Sequence, residues 1–449
     1  MKHAFSYSLL ICSIMLPFVQ AQQELITSLT VQGSSMRCTI NPEIKNAYLT
    51  DDFFVEYEED IPLESMKYEI VTMPVVLNLF SLVWFSGKNY YVDSMDSDVF
   101  ESLEKLKQMF KFLYPECPWS GSIIPRKLVY LAPAFLDIRT ESSRRAMLFS
   151  GGLDSNSSFF EHFNEDLLLI TAWGQFDLPL ADKEGWAGRK QAIEEFAKKY
   201  GKKNAFFRSN YSEIFNWDVV NYLYPTICNW RISTVEELSW AGLVAPILIT
   251  KKCPTLYVPS GGNWFYNIVD MRNPYIEEMV RFAGFGMITD QFDLTRFDKA
   301  KFIAETCKKN SLDRPFIKVC HLPNTNCGSC RKCCMTMISL LALGENITEY
   351  GFKCSNEIAV DNSLVYLSKK MGYFNAWNFR DMQPKIRKIV QDYPERKQVL
   401  EPFISFDLNT VEVNDRKFAV KVKWEDLQKY APYVRVPRNL SQEQLDINV

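Results

Sequence analysis

Histidine is almost missing from this chain, which carries three among its 449 residues: His3, His162 and His321. No serine has a histidine partner in a region that reads as catalytic, which excludes a Ser-His-Asp hydrolase. A basic excess is missing too. The formal net charge is −3, so no surplus of cations is available to neutralise a phosphate backbone, and general nucleic-acid binding is not expected. Neither Gly-x4-Gly-Lys-Ser/Thr nor Gly-x-Gly-x-x-Gly occurs, which removes two familiar glycine-rich phosphate loops. No second long apolar stretch follows the one at the N-terminus, which argues against a membrane-spanning chain. The twelve cysteines lie scattered outside one dense cluster and do not read as a disulfide framework. No internal repeat or low-complexity tract is present.

What is there reads as globular. Hydrophobic residues make up 47% of the chain and aromatics 14%, enough for two or three domains with buried cores. The central part alternates strand and helix patterns, as a parallel sheet requires. Strands are predicted over 146–149, 167–172, 205–208 and 256–259, and helices over 182–200 and 236–250. Upstream, Phe100, Leu103, Leu106 and Phe110 stand at helical spacing in a helix from Ser97 to Leu113, followed by a short strand over 129–135. Downstream, helices are predicted over 363–372 and 375–392. The basic residues there (Arg380, Lys385, Arg387, Lys388, Arg396, Lys397) read as the solvated face of a helix.

The most informative run is Ser150-Gly151-Gly152-Leu153-Asp154-Ser155, between the first central strand and a helix opening near Asn156. A strand that turns through two glycines into a helix N-terminus presents several backbone N–H groups to one point, a phosphate-binding arrangement. Asp154 would repel a phosphate, and its presence predicts a Mg²⁺ ion between them. A second signal lies downstream in Cys320 and Cys327-Gly328-Ser329-Cys330-Arg331-Lys332-Cys333. The four thiolates Cys320, Cys327, Cys330 and Cys333 are enough for a closed tetrahedral zinc site that holds the fold together. Gly328 lets the backbone turn between ligands. His321 and Cys334 are neighbouring substitutes, and an iron–sulfur cluster is the competing reading, although that signature's fourth cysteine and proline are not in place.

The loop resembles that of the N-type ATP pyrophosphatases (the PP-loop superfamily), and with the Cys-x6-Cys-Gly-x-Cys-x-x-Cys pattern it is similar to the 7-cyano-7-deazaguanine synthase family. The likeness spans roughly 144–344, less than half of the chain. It implies an α/β fold with a parallel-sheet, HUP or adenine-nucleotide α-hydrolase-like core. It also implies ATP cleaved to AMP and pyrophosphate, a carboxylate or carbonyl of a small molecule adenylated, and AMP displaced by ammonia or an amine, with ATP, Mg²⁺ and Zn²⁺ as cofactors. In that picture Ser150 to Ser155 hold the phosphates, with Asp154 and Ser155 catalytic. Around the presumed crevice Trp173 stacks on the adenine or packs in the core, Asp177 orients substrate or metal, and the turn at Gly261 faces ATP or substrate or is a plain turn. Arg296 or Lys299 binds the α-phosphate or a substrate carboxylate, or forms a surface salt bridge. Asn210 contacts nucleotide or caps a helix. Asp270-Met271-Arg272-Asn273-Pro274 stands imperfectly where that family handles substrate. A non-catalytic ATP-binding sensor or assembly subunit that retains the loop is the alternative.

Lys2 and His3 precede an apolar run from Ala4 to Phe18 that ends in Val19-Gln20-Ala21, a pattern resembling a secretory leader. ATP and reduced thiolates belong in the cytosol, so the expected location is cytoplasmic, with Met36 as initiator, and export is the alternative if 1–21 serves as a leader. The expected organisation is 1–35 leader or upstream extension, 36–140 an N-terminal α+β module, 141–345 the nucleotide domain with the cysteine site, and 346–449 a mostly helical C-terminal region. Association into a homo-oligomer stays open.

Overall fold

The computed structural model describes residues 23–58, 60–131, 144–223, 236–262, 273–320, 322, 324–369, 371, 373–412 and 429. Its strands are β1 (Gln23–Glu24), β2 (Ile26–Gln32), β3 (Ser35–Ile40), β4 (Phe53–Tyr57), β5 (Asn89–Asp96), β6 (Ser122–Val129), β7 (Arg145–Leu148), β8 (Leu167–Trp173), β9 (Lys203–Ser209), β10 (Thr255–Pro259), β11 (Arg281–Phe282) and β12 (Phe285–Asp290).

Nine of these form one sheet in the order β11-β12-β10-β7-β8-β9-β4-β3-β2. The stretch β12-β10-β7-β8-β9 is parallel throughout. Buried strands of a parallel sheet read as unbroken apolar runs because both faces are covered. β8, Leu-Leu-Leu-Ile-Thr-Ala-Trp, is buried at every position. Leu168 and Ile170 point into one core and Leu167 and Leu169 into the other, as the two-residue period of a strand dictates. Chain order reverses between β7 and β10, which are neighbours although β8 and β9 lie between them in sequence. Ligands of open α/β sheets bind outside the strand carboxyl ends at such a reversal.

The expected central strands and helices all form, and the helix Ser97–Leu113 has the predicted bounds. The N-terminal part differs from expectation. β4 pairs antiparallel with β9, and β3 and β2 extend the same sheet. Leu25 to Leu131 share one hydrophobic core with Ala146 to Phe292, so no break in packing marks a boundary near 140. Met36 is buried inside β3, and a chain starting there would lose the edge strand β2. β6 pairs parallel with β5 and ends at Val129. Helices Asn356–Leu367, Tyr373–Asp392 and Lys397–Ser405 form the described C-terminal region and join the core on the other face of the sheet. The leader, His321, the segment 270–272 and most of the strand expected over 129–135 lie outside the described residues. No helix among the described residues is long and apolar enough to cross a membrane.

Asn210 explains how the antiparallel extension is fastened. Its side chain accepts from the Phe54 N–H at 2.9 Å and donates to the Asp52 carbonyl at 2.6 Å, so it ties the start of β4 to the end of β9 rather than meeting nucleotide. Asn210→Ala leaves both groups buried and unpaired and is expected to cost about 2 kcal/mol, read from the urea midpoint.

A second fastening is titratable. The His162 ring stacks on Tyr257 at 4.0 Å, with Nδ1 2.7 Å from Glu165 and Nε2 3.3 Å from Asp290. Burial pulls its pKa down, but Asp290 and Glu165 outweigh burial and hold it above 6.5. The stabilisation is therefore complete below the unfolded-state pKa and lost as pH rises through the raised folded value. His162→Gln is expected to destabilise the protein at pH 6 and to converge on wild type by about pH 9, followed by denaturant midpoints across that range.

Candidate functional site

The Ser150–Ser155 loop sits where the reversal rule places a ligand, at the end of β7. Gly151 takes a φ of +73°, a left-handed turn that glycine accommodates without Cβ strain. The Asn156 side chain donates to the carbonyls of Gly151 and Gly152, both at 2.9 Å, and the Lys318 N–H donates to the Gly151 carbonyl at 2.8 Å. With its carbonyls held this way, the turn hands over to the helix Leu153–Glu161, whose first N–H groups have no acceptor within the helix. The Ser150 and Ser155 hydroxyls lie 3.3 Å apart across the turn. Asn156 was not singled out from sequence, because an asparagine three residues into a helix carries no motif signal.

Five cations converge on this turn. Arg296 contacts Asp154 at 3.0 Å and Lys299 contacts its other oxygen at 3.3 Å. Arg189, Arg296, Lys318 and Lys332 line a small pocket with Ser150, Asp154 and Asp177. Arg189 is paired to Asp177 at 3.0 Å. Two carboxylates thus face five cations. Burial draws the ammonium pKa of Lys299, Lys318 and Lys332 down, reinforced at Lys318 by Arg189 and at Lys332 by Arg296. At Asp154 burial works upward, but Arg296 and Lys299 outweigh it and hold the carboxyl below its usual range. Among the described residues no carboxylate pairs with Lys332 or Lys318. Excess positive charge, part of it half-buried, suits a polyanion.

Around the same turn a cleft of about 260 Å³ opens over the sheet edge, lined by Leu148, Ile170, Val258, Phe176, Tyr211 and Trp240, with Asp154, Ser155, Asp177 and Lys332 on its charged side. Trp173 does not line it and is buried, which agrees with the core-packing reading. Its ring is stacked on Trp186 at 5.7 Å, and its indole N–H donates to the Pro179 carbonyl at 3.0 Å. The aromatic on the lip of the cleft is Phe176, 70% exposed. The Ser260-Gly261-Gly262 turn closes on itself, Gly262 N–H to Ser260 Oγ at 3.1 Å, and the Ser260 carbonyl accepts from the Lys299 ammonium. Ser260, not Gly261, meets the site through Lys299, and Gly261 lines neither the cleft nor the small cationic pocket. Asp154 does not present a preformed Mg²⁺ site, since both its oxygens are engaged by cations and Asp177 is engaged by Arg189.

The four predicted cysteines come together. Their sulfurs all lie within 4.8 Å of one another, with Cys327–Cys333 and Cys320–Cys330 each at 3.9 Å. A tetrahedral ion at ~2.3 Å from each sulfur sets them about 3.8 Å apart. Around a four-iron cluster each thiolate sits on a different iron and the sulfurs stand farther apart, so the spacing fits a single ion. Gly328 takes the expected left-handed turn at φ +71°, and the Ser329 and Cys330 N–H groups donate to Cys327 Sγ at 3.5 and 3.2 Å. Cys334 is buried in the core, its pKa pushed up to about 12 by burial, and stands outside the set.

The cysteine knuckle delivers two of the five cations, because Lys318 lies two residues before Cys320 and Lys332 one residue before Cys333. The C-terminal region fixes two others. Lys385 contacts Thr295 Oγ1 at 3.1 Å, Asp298 at 3.1 Å and Asp381 at 3.0 Å. Thr295 and Asp298 form the capping box that starts the helix Arg296–Lys309. Lys385, read from sequence as part of a solvated face, is therefore a fastening for Arg296 and Lys299. Arg396 likewise turns inward, donating to the Ala342 carbonyl, whereas Arg387 stays exposed while it donates to the Ile404 carbonyl.

No family model matches the chain, and no curated protein matches it significantly. Two solved structures align with it: a U34-tRNA thiolase from Methanococcus maripaludis with its [4Fe-4S] cluster, at 11% identity over 71% of this chain and 83% of that one with a TM-score of 0.26, and a 4-thiouridine synthetase in an RNA complex with bound ATP, at 11% identity over 66% and 81% with a TM-score of 0.24. Neither is a 7-cyano-7-deazaguanine synthase. At these scores the function rests on the site itself.

Cys330→Ser is expected to lower the melting temperature and, by loosening Lys318 and Lys332, to weaken inorganic pyrophosphate binding about tenfold. Cys354→Ser, outside the four-sulfur set, should leave both unchanged in the same calorimetric titration.

Proposed function

We propose that this chain binds ATP across the edge of the parallel sheet, with the phosphates on the Ser150–Ser155 turn, and uses it to adenylate a small-molecule carboxylate or carbonyl oxygen. The observation that carries this reading is the gathering of Arg189, Arg296, Lys299, Lys318 and Lys332 on a helix N-terminus at the chain-order reversal. A pocket of this charge suits a pyrophosphate leaving group. A substrate oxygen forms a bond to the α-phosphorus as the bond to the β-phosphate bridging oxygen breaks, and the electron pair leaves on pyrophosphate. Ammonia or an amine then attacks the activated carbon, AMP departs, and the nitrogen loses a proton. Arg296 and Lys299, aligned by Asp154, stabilise the charge that develops on the leaving group, and Ser155 adds a hydroxyl donor. The four cysteines hold Zn²⁺ as a structural ion, whose chemistry is to cross-link the knuckle and set Lys318 and Lys332. The cytosol suits reduced thiolates and ATP.

A second reading, an ATP-binding sensor that does not turn over, is favoured by one observation: the Asp154 oxygens are both engaged by cations. The full chain with ATP and Mg²⁺, ammonium and a panel of carboxylic acids separates the two. Adenylation requires substrate-dependent release of pyrophosphate and AMP, reduced about 10²-fold or more in Asp154→Ala. ATP binding with no pyrophosphate from any acid leaves the sensor, and absence of ATP binding sinks both.

A further inference from the structure

On the flank of the loop away from the cleft lies a groove of about 490 Å³. Its floor is Phe149 and the backbone at Gly151, where nothing stands within 4 Å of the position a Cβ would take. One wall is the face of the helix Lys183–Lys199 carrying Ala192, Ile193 and Phe196, and the other is Pro315 and Phe316. Where Gly188 and Asn324 line it the walls meet, since a Cβ on Gly188 would come within 2.2 Å of the Asn324 side chain. The apolar lining is largely aromatic, with Phe196 4.7 Å from both Phe149 and Tyr200.

The loop end of the groove is cationic. Arg189 and Lys318 line both the groove and the phosphate pocket. The Lys318 ammonium donates to the Cys320 carbonyl and pairs with no carboxylate among the described residues. Glu195 and Glu349 line the groove as exposed groups, which opposes ligands that carry several negative charges along their length. The proposed function puts the nucleotide base in the cleft lined by Leu148 and Val258, which leaves this groove to another ligand. Lys199 and Arg314 line it as well, but each is paired, with Asp313 at 3.2 Å and with Glu345 at 2.7 Å. An apolar slot in which Lys318 is the lining cation without a carboxylate among the described residues matches a planar ring bearing a single anionic group.

We propose that this groove binds an aryl carboxylate, its ring between Phe196 and Phe316 and its carboxylate at Lys318. Its role as the acceptor site rests on the adenylation reading, and its existence as a site does not. The probe is 2-naphthoate, titrated into the full chain without ATP and followed by saturation-transfer NMR, with ATP affinity measured calorimetrically in parallel. Ala192→Trp fills the groove from an exposed helical position, and Ala192→Ser is its conservative control. Naphthoate is expected to bind wild type and Ala192→Ser saturably and Ala192→Trp roughly tenfold more weakly or less, with ATP affinity equal in all three and both ligands bound together. Absence of saturable binding, equal binding in Ala192→Trp, or displacement of naphthoate by ATP would overturn the site. ATP bound without pyrophosphate release in a protein that still takes naphthoate overturns the adenylation reading alone.

Discussion

Positive charge held out of bulk water at the carboxyl edge of a parallel sheet is the constraint around which this molecule is organised. Removing an ion from water costs several kcal/mol even after relaxation. Asp154 and Asp177 offset part of that cost for Arg296, Lys299 and Arg189. Among the described residues Lys318 and Lys332 have no carboxylate of their own, and burial pulls both ammonium pKa values down. Such a cluster is stabilised most by a ligand that brings several negative charges to one place. The ligand-free protein therefore stores unfavourable electrostatic energy that binding releases, which is how a preformed site gains affinity without moving.

Each cation arrives on a different support, and these supports explain why the chain exceeds a minimal α/β sheet. Arg189 comes from the helix Lys183–Lys199, packed beneath the loop. Arg296 and Lys299 come from the first turn of the helix Arg296–Lys309, whose capping box is clamped by Lys385. Lys318 and Lys332 come from either side of the cysteine knuckle. A thiolate ion site has little direct business with phosphate chemistry, but an ion held by Cys320, Cys327, Cys330 and Cys333 would fix the spacing of Lys318 and Lys332, fourteen residues apart in sequence. The cysteine knuckle and the C-terminal helices thus bear on one pocket.

Much of this was legible in the sequence, for reasons that differ by element. The loop could be read because glycine, serine and aspartate in that order between a strand and a helix satisfy several constraints at once. The cysteines could be read because thiols at that density have few other uses. β8 was legible because both of its faces are buried. β2, β3 and β4 were not, since their place in the sheet is set by pairing with β9, fastened by Asn210 more than 150 residues downstream. Trp173 stayed open because a tryptophan after a strand reads the same whether it faces ligand or Trp186. Lys385 carried no signal at all; its partners Thr295 and Asp298 lie about ninety residues away, and only the fold brings them together.

Asp154 shows how the same residue gains a different meaning from its surroundings. Read along the chain, a carboxylate in a phosphate loop calls for a metal ion to reconcile it with its ligand. In the folded protein its two oxygens are bracketed by Arg296 and Lys299, and that contact does what an ion was invoked to do: it removes the repulsion between carboxylate and phosphate. It also does something a metal would not. Two buried cations repel each other and, with nothing between them, would splay toward solvent. A carboxylate held by the loop between them draws both inward and fixes their donors beside Ser150 and Ser155. Preorganised donors need no rearrangement when charge develops, which is the condition under which electrostatic stabilisation is most effective. The position of the carboxylate, in the first turn of the helix and one residue before Ser155, follows from that task.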